Sequence, residues 1–115
     1  MYHAHTDEQT LTAHAPHITD DQRDAIETQA AALSDLRVAH INTTASGGGV
    51  AEILHSLVPL LNDVGVETDW LVMEAPDEFF DVTKAMHNGL QGDRSEFTDE
   101  MRETYRSVTV SNAEA

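Results

Sequence analysis

An α/β fold built around a parallel βαβ unit is predicted by three neighbouring features of the sequence. The first is an apolar strand, Arg37-Val38-Ala39-His40-Ile41-Asn42. The second is a glycine run, Gly47-Gly48-Gly49, opening a helix over Val50 to Val64, and the third is another strand over Glu67 to Met73. Strand, helix and strand in succession imply a parallel pair joined by a right-handed crossover.

Whole-chain properties narrow the function classes. A length of 115 residues accommodates one small domain. The sequence has no cysteine, which removes disulfide frameworks, zinc–thiolate sites and cysteine nucleophiles. Six Lys and Arg against 21 Asp and Glu leave a formal charge of −15, which repels nucleic acid and anionic lipid. Ordered apolar patterning argues against disorder as the source of this acidity. A single lysine with abundant Ala, Thr and Asp points instead to a salt-rich cytoplasm that screens self-repulsion. No stretch is long and apolar enough to span a bilayer, and Met1-Tyr2-His3-Ala4-His5 lacks the regions of a secretion signal, so a cytoplasmic location is expected.

Residues 1–18 form a polar segment whose histidines, His3, His5, His14 and His17, follow no regular spacing. Metal ligation is conceivable there, but the stretch is expected to be a solvated tail, and no metal site is assigned. Thr19-Asp20-Asp21-Gln22 has the form of a capping box, starting a helix through about Leu33 with acids in its first turn. Ile26, Ala30 and Leu33 give it a narrow apolar stripe to pack on a larger body.

Val38 to Ile41 is expected to be a buried parallel strand. The helix after the glycines carries Val50, Ile53, Leu54, Leu57, Val58, Leu60, Leu61 and Val64, an apolar face broad enough to be covered on more than one side. Pro59 lies inside it and removes one N–H, so a kink is expected over His55 to Pro59, and Gly65 suits a left-handed C-terminal cap. A further helix is predicted over Asp77 to Leu90, closed by Asn88-Gly89 and Gln91-Gly92, and another from about Phe97 to Val110. Two parallel strands cannot protect both sheet edges. Either a third strand lies in a segment without strand signals, or the chain is the first part of something longer; the second is the expectation.

Chemistry concentrates at the glycine run. Backbone amides at a helix start attract anions and hydroxyl-rich ligands, and glycines let such a ligand approach the main chain. A phosphate-loop NTPase is excluded because Val50-Ala51-Glu52 stands where Lys and Ser/Thr belong. The dinucleotide fingerprint is only partly met: Gly47 and Gly49 fit, Glu52 occupies the third glycine position, and Glu74 lies near the end of the second strand. Glu52 is either a helix-dipole acid or a carboxylate that accepts hydrogen bonds from sugar hydroxyls. Asn42-Thr43-Thr44 is either turn chemistry or a polar display at the strand's carboxyl end. Lys84, His87, Asn88 and Gln91 share one helical stripe, taken as opposite Phe79, Phe80 and Val82. That stripe is a solvated face or a reader of hydroxyl groups. No nucleophile stands out, so no catalytic residue is assigned.

Together, Val38-Ala39-His40-Ile41-Asn42-Thr43-Thr44, Gly47-Gly48-Gly49-Val50-Ala51-Glu52-Ile53-Leu54, Ser56-Leu57-Val58-Pro59-Leu60, Glu78-Phe79-Phe80, Thr83-Lys84 and His87-Asn88-Gly89-Leu90-Gln91-Gly92 resemble the start of trehalose synthases. These are the glycosyltransferring type, related to trehalose phosphorylases, within the family-4 retaining glycosyltransferases. The resemblance runs from about Thr19 onward, and the combination of the stretches 47–54 and 87–92 is much more specific than either alone. It implies a GT-B enzyme, two Rossmann-like domains facing across a cleft, of which residues 19–115 would be part of the first, acceptor-side domain. It implies glucose transfer with retention from a nucleoside-diphosphate glucose to glucose, giving trehalose, with no cofactor. Gly47, Gly48 and Gly49 would face the donor diphosphate and sugar, while Glu52, Lys84, His87, Asn88 and Gln91 would line the acceptor side. The family's nucleotide-binding second domain, with its basic residues and paired glutamates, has no counterpart in this sequence. The fragment alone is therefore expected to be inactive, whether it is a truncated gene, one half of a split enzyme completed by another chain, or part of a longer polypeptide. Two other readings stay open: a non-catalytic acidic interaction module or gene remnant, and a small dinucleotide-binding domain, against which Glu52 argues.

Overall fold

The computed structural model describes residues 1–94 and 96–115. The chain divides into two compact units, Tyr2–Val72 and, separately, Met73–Ala115 together with Met1.

The first unit is a three-stranded mixed sheet with helices. Strand β1 (Tyr2–His3), helix α1 (Asp20–Ala31), strand β2 (Arg37–Asn42), helix α2 (Gly49–Asp63) and strand β3 (Glu67–Val72) follow in sequence, with a short 3-10 segment at Thr12–His17. The sheet order is β1-β3-β2. β2 runs parallel to β3 with Arg37 opposite Glu67 and Asn42 opposite Val72, the expected βαβ pairing. β1 is antiparallel to β3, Tyr2 facing Val72 and His3 facing Leu71.

Two expectations need correction here. The N-terminal stretch is not a solvated tail: it supplies the third strand, Leu11 is 9% exposed, and the Leu11 amide donates to the Asp63 carboxylate at 2.8 Å. Nor is β2 buried on both faces. Val38, His40 and Asn42 are half-buried while Arg37, Ala39 and Ile41 are exposed, the alternation of a sheet covered on one side. On the outer face Arg37 pairs with Glu67 at 2.7 Å and Asp69 at 3.2 Å, and Asp69 meets His3 at 3.4 Å. These are exposed cross-strand pairs, each contributing roughly 1 kcal/mol or less.

The core lies on the inner face. Trp70 and Val72 of β3 pack with Ala51, Leu54 and Val58 of α2, and Ala4 and Ala45 close the cluster's margin. Apolar burial of this kind contributes about 1.5–3 kcal/mol per large side chain. The broad apolar character expected of α2 is present, but only one side is covered: Val50 and Ile53 are 63% and 61% exposed. The helix continues through Pro59 to Asp63. It ends in a Schellman cap, with Gly65 at φ 90°, its amide donating to the Asn62 carbonyl and that of Val66 to the Leu61 carbonyl. Asn62 then fastens the helix end to β3, accepting from the Thr68 amide and donating to the Thr68 carbonyl, both at 2.9 Å.

α1 starts as expected, with Thr19 accepting from the Gln22 amide and Gln22 accepting from the Thr19 amide. Of its predicted stripe only Ala30 is buried; Ile26 and Leu33 are exposed.

The second unit is a helical pair, α3 (Asp77–Leu90) and α4 (Asp99–Ala113). Phe79 stacks on Tyr105 with ring centroids 5.7 Å apart and planes 9° from parallel. Asn112 is buried and works like a strand partner for Glu74, accepting from its amide at 2.9 Å and donating to its carbonyl at 2.8 Å. Gly92, at φ 97°, closes α3 as Gly65 closes α2, while Thr98 caps α4 through the Met101 amide.

Candidate functional site

β2 delivers the chain at Asn42 to the loop of residues 43–48, and α2 begins at Gly49. Gly47 and Gly48 have φ of 73° and 101°, in the left-handed region that a side chain disfavours. Gly49 does not, and a Cβ at any of the three would meet nothing within 4 Å. Glycine is thus demanded by the turn at two positions, while at the third it only leaves open the space over the first helical turn. Gly48 is the N-cap and no side chain caps the helix, so the initial amides point outward from the positive end of the dipole. Glu52 is exposed in this first turn and makes no ion pair among the described residues. The structure therefore keeps the glycine run and Glu52 together.

Beneath this loop lies a bracket that sequence reasoning missed. Trp70 Nε1 donates to Asn42 Oδ1 at 2.9 Å, fixing the loop's entry. His55 of α2 reaches the Ala45 carbonyl with Nε2 at 2.9 Å, fixing its middle, and packs edge-on against Trp70 with centroids 4.9 Å apart. Thr44 Oγ1 is engaged with Ser46. Asn42 and Thr44 therefore build the turn rather than display polar groups. His40, on the inner face of β2, has a buried Nε2 without a hydrogen-bond partner among the described residues.

Lys84, His87, Asn88 and Gln91 belong to the second unit. All four lie on α3 or its C-cap, Asn88 half-buried and the others exposed. Lys84 forms no ion pair among the described residues. Phe79 and Val82 are buried on the opposite face as expected, but Phe80 is not with them: it is 37% exposed. Phe80, Lys84, His87 and Gln91 recur at i, i+4, i+7 and i+11, so the ring sits within the polar stripe. That spacing was available in the sequence. Glu74 meets the N-terminal amine of Met1 at 3.4 Å. Among the described residues, no group of three His, Asp or Glu side chains could hold a metal ion, and no helix is long and apolar enough to cross a membrane.

Comparison with known proteins adds the family. Residues 40–115 match the family model described as trehalose synthase, N-terminal domain. The chain is 48% identical over 98 residues to the trehalose synthase of Thermococcus litoralis, covering 84% of this chain and 24% of that protein. The Rubrobacter xylanophilus trehalose synthase is 49% identical over 83 residues, 72% of this chain and 20% of its own. A trehalose phosphorylase of Pleurotus pulmonarius is 35% identical over 57 residues, 50% of this chain and 8% of its own. The chain thus spans about a quarter of the length of the synthases it matches. By sequence it belongs to the trehalose synthase N-terminal domain family.

Proposed function

We propose that this chain is the N-terminal, acceptor-side part of a retaining GT-B glycosyltransferase that moves glucose from a nucleoside-diphosphate glucose to glucose, forming trehalose. The observation that carries the reading is the 48% identity to a trehalose synthase across 84% of the chain. The α/β architecture and the uncapped helix start after β2 are compatible with it, because backbone amides at a dipole's positive end suit a diphosphate. On this reading Gly47, Gly48 and Gly49 face the donor. Glu52, Lys84, His87, Asn88 and Gln91 line the acceptor side, Glu52 accepting hydrogen bonds from sugar hydroxyls. Residues 1–18 lead into a partial first domain, 19–115, and the nucleotide sits chiefly on a second domain, in the same polypeptide or a partner chain. The acidic balance fits a salt-rich cytoplasm.

Departure of a nucleoside diphosphate needs positive groups aimed at the developing charge. The chain carries six Lys and Arg, and the site residues include one of them, Lys84. The 115 residues alone are therefore expected to be inactive. The test is a graft: the 98 aligned residues replace their counterparts in the Thermococcus litoralis protein, and trehalose formation is followed with UDP-glucose or ADP-glucose as donor and glucose as acceptor. Trehalose from the graft and none from the isolated chain is the expected outcome. A folded graft that makes no trehalose overturns the reading.

A further inference from the structure

We infer that His55 is a positioning residue, whose imidazole sets the conformation of the glycine loop by donating from Nε2 to the Ala45 carbonyl. The loop has little else to hold it. Among the described residues its own side-chain hydrogen bonds are the local ones of Thr44 with Ser46, and the glycines that follow have the widest conformational freedom of any residue. Among the described residues, two side-chain hydrogen bonds reach it from the structured body, Trp70 to Asn42 and His55 to Ala45, both at 2.9 Å. The two rings brace each other at 83°, so each tie depends on the placement of the other. Ala45 is drawn against the Ala51, Leu54, Val58, Trp70 and Val72 cluster, only two residues ahead of Gly47. A carbonyl only accepts, so Nε2 must carry a proton for the tie to exist. The direction of the first α2 amides follows from where this loop enters the helix.

Two substitutions separate this role from mere space filling. His55→Phe keeps a ring against Trp70 but deletes the donor, whereas His55→Gln loses the ring and keeps an N–H donor at comparable reach. Backbone 15N–1H spectra and heteronuclear NOEs of the chain report the amides of Gly47, Gly48 and Gly49. In His55→Phe these amides are expected to shift and lose order, and in His55→Gln to return towards their original positions. An undisturbed loop in His55→Phe, or the same disturbance in His55→Gln, overturns the inference. Should either variant fail to fold, the imidazole 15N spectrum of the unaltered chain decides: a proton on Nε2 supports the tie, and its absence there breaks it.

The functional consequence rests on the proposed donor site. In the active graft, the KM for the donor nucleotide sugar is expected to rise roughly tenfold in His55→Phe and to recover in His55→Gln, because an unfixed loop must be ordered on binding. A graft without trehalose activity refutes the donor-site reading and leaves the spectroscopic result standing on its own.

Discussion

The two sets of residues proposed to bind ligand, one in each compact unit, are built differently. On the proposed reading, the donor-facing groups of Tyr2–Val72 are backbone amides, aimed by two positive-φ glycines and tied down through Asn42 and Ala45 by buried or half-buried rings, with the exposed Glu52 carboxylate beside them. In Met73–Ala115 the proposed groups are the tips of side chains on α3 and its C-cap, three of the four exposed. The first arrangement is preorganised, so little ordering is required when a ligand arrives. The second must fix long side chains at each binding event, at up to about 2 kcal/mol each for Lys and Gln. Donor geometry and acceptor choice would thus be governed by different kinds of group, one rigid and one adaptable.

Trp70→Ala tests the rigid half most severely. Trp70 is the largest fully buried side chain and also holds Asn42. Its removal is expected to cost about 3–5 kcal/mol, measured as the shift of the urea midpoint by circular dichroism. A loss under about 1 kcal/mol would mean that Trp70 does not anchor the core between β3 and α2. Asn112→Ala is the counterpart in the helical unit. It strips Glu74 of partners for both its amide and its carbonyl, for an expected loss of about 1–3 kcal/mol in the same measurement.

A finer cut separates the glycines. Gly48→Ala places a side chain at φ 101° and ψ 152°, a region essentially reserved for glycine, and is expected to cost about 1–3 kcal/mol without any clash. Gly49→Ala has no such penalty, since its φ lies outside that region and space surrounds it. Equal destabilisation by both would remove the distinction between a glycine the turn requires and one it merely tolerates.

How much of this was legible in the sequence follows the range of the interactions. The capping box at Thr19, the Schellman glycines Gly65 and Gly92 and the bounds of α3 depend on residues within one turn of each other, and they were read from the chain. The two-residue strand Tyr2–His3 has no periodicity to detect and exists because β3 offers it an edge. β2 looked buried because its apolar run resembles that of a doubly covered strand, yet Ala39 and Ile41 face outward. Phe80 is apolar like Phe79 and Val82, yet helical spacing puts it in line with Lys84, His87 and Gln91, and spacing decides its face. The bracket of His55, Trp70 and Asn42 joins residues up to 28 apart, and no local pattern marks such a partnership.

The smallest effect on stability should carry the sharpest functional contrast. Lys84→Ala and His87→Ala remove exposed side chains without ion pairs among the described residues, so each is expected to change stability by no more than about 0.5 kcal/mol. If the stripe on α3 meets the acceptor, the grafted enzyme carrying either substitution should show a raised KM for glucose and an unaltered KM for the donor. Gly49→Ala, folded to the same degree, should show the reverse, because its methyl group would stand over the amides assigned to the donor. Steady-state kinetics with each substrate varied in turn reads both. If Lys84→Ala and His87→Ala leave both constants unchanged, the stripe is an ordinary solvated face and Phe80 within it is only an exposed ring. If they raise the donor KM instead, the assignment of rigid backbone to donor and mobile side chains to acceptor is reversed.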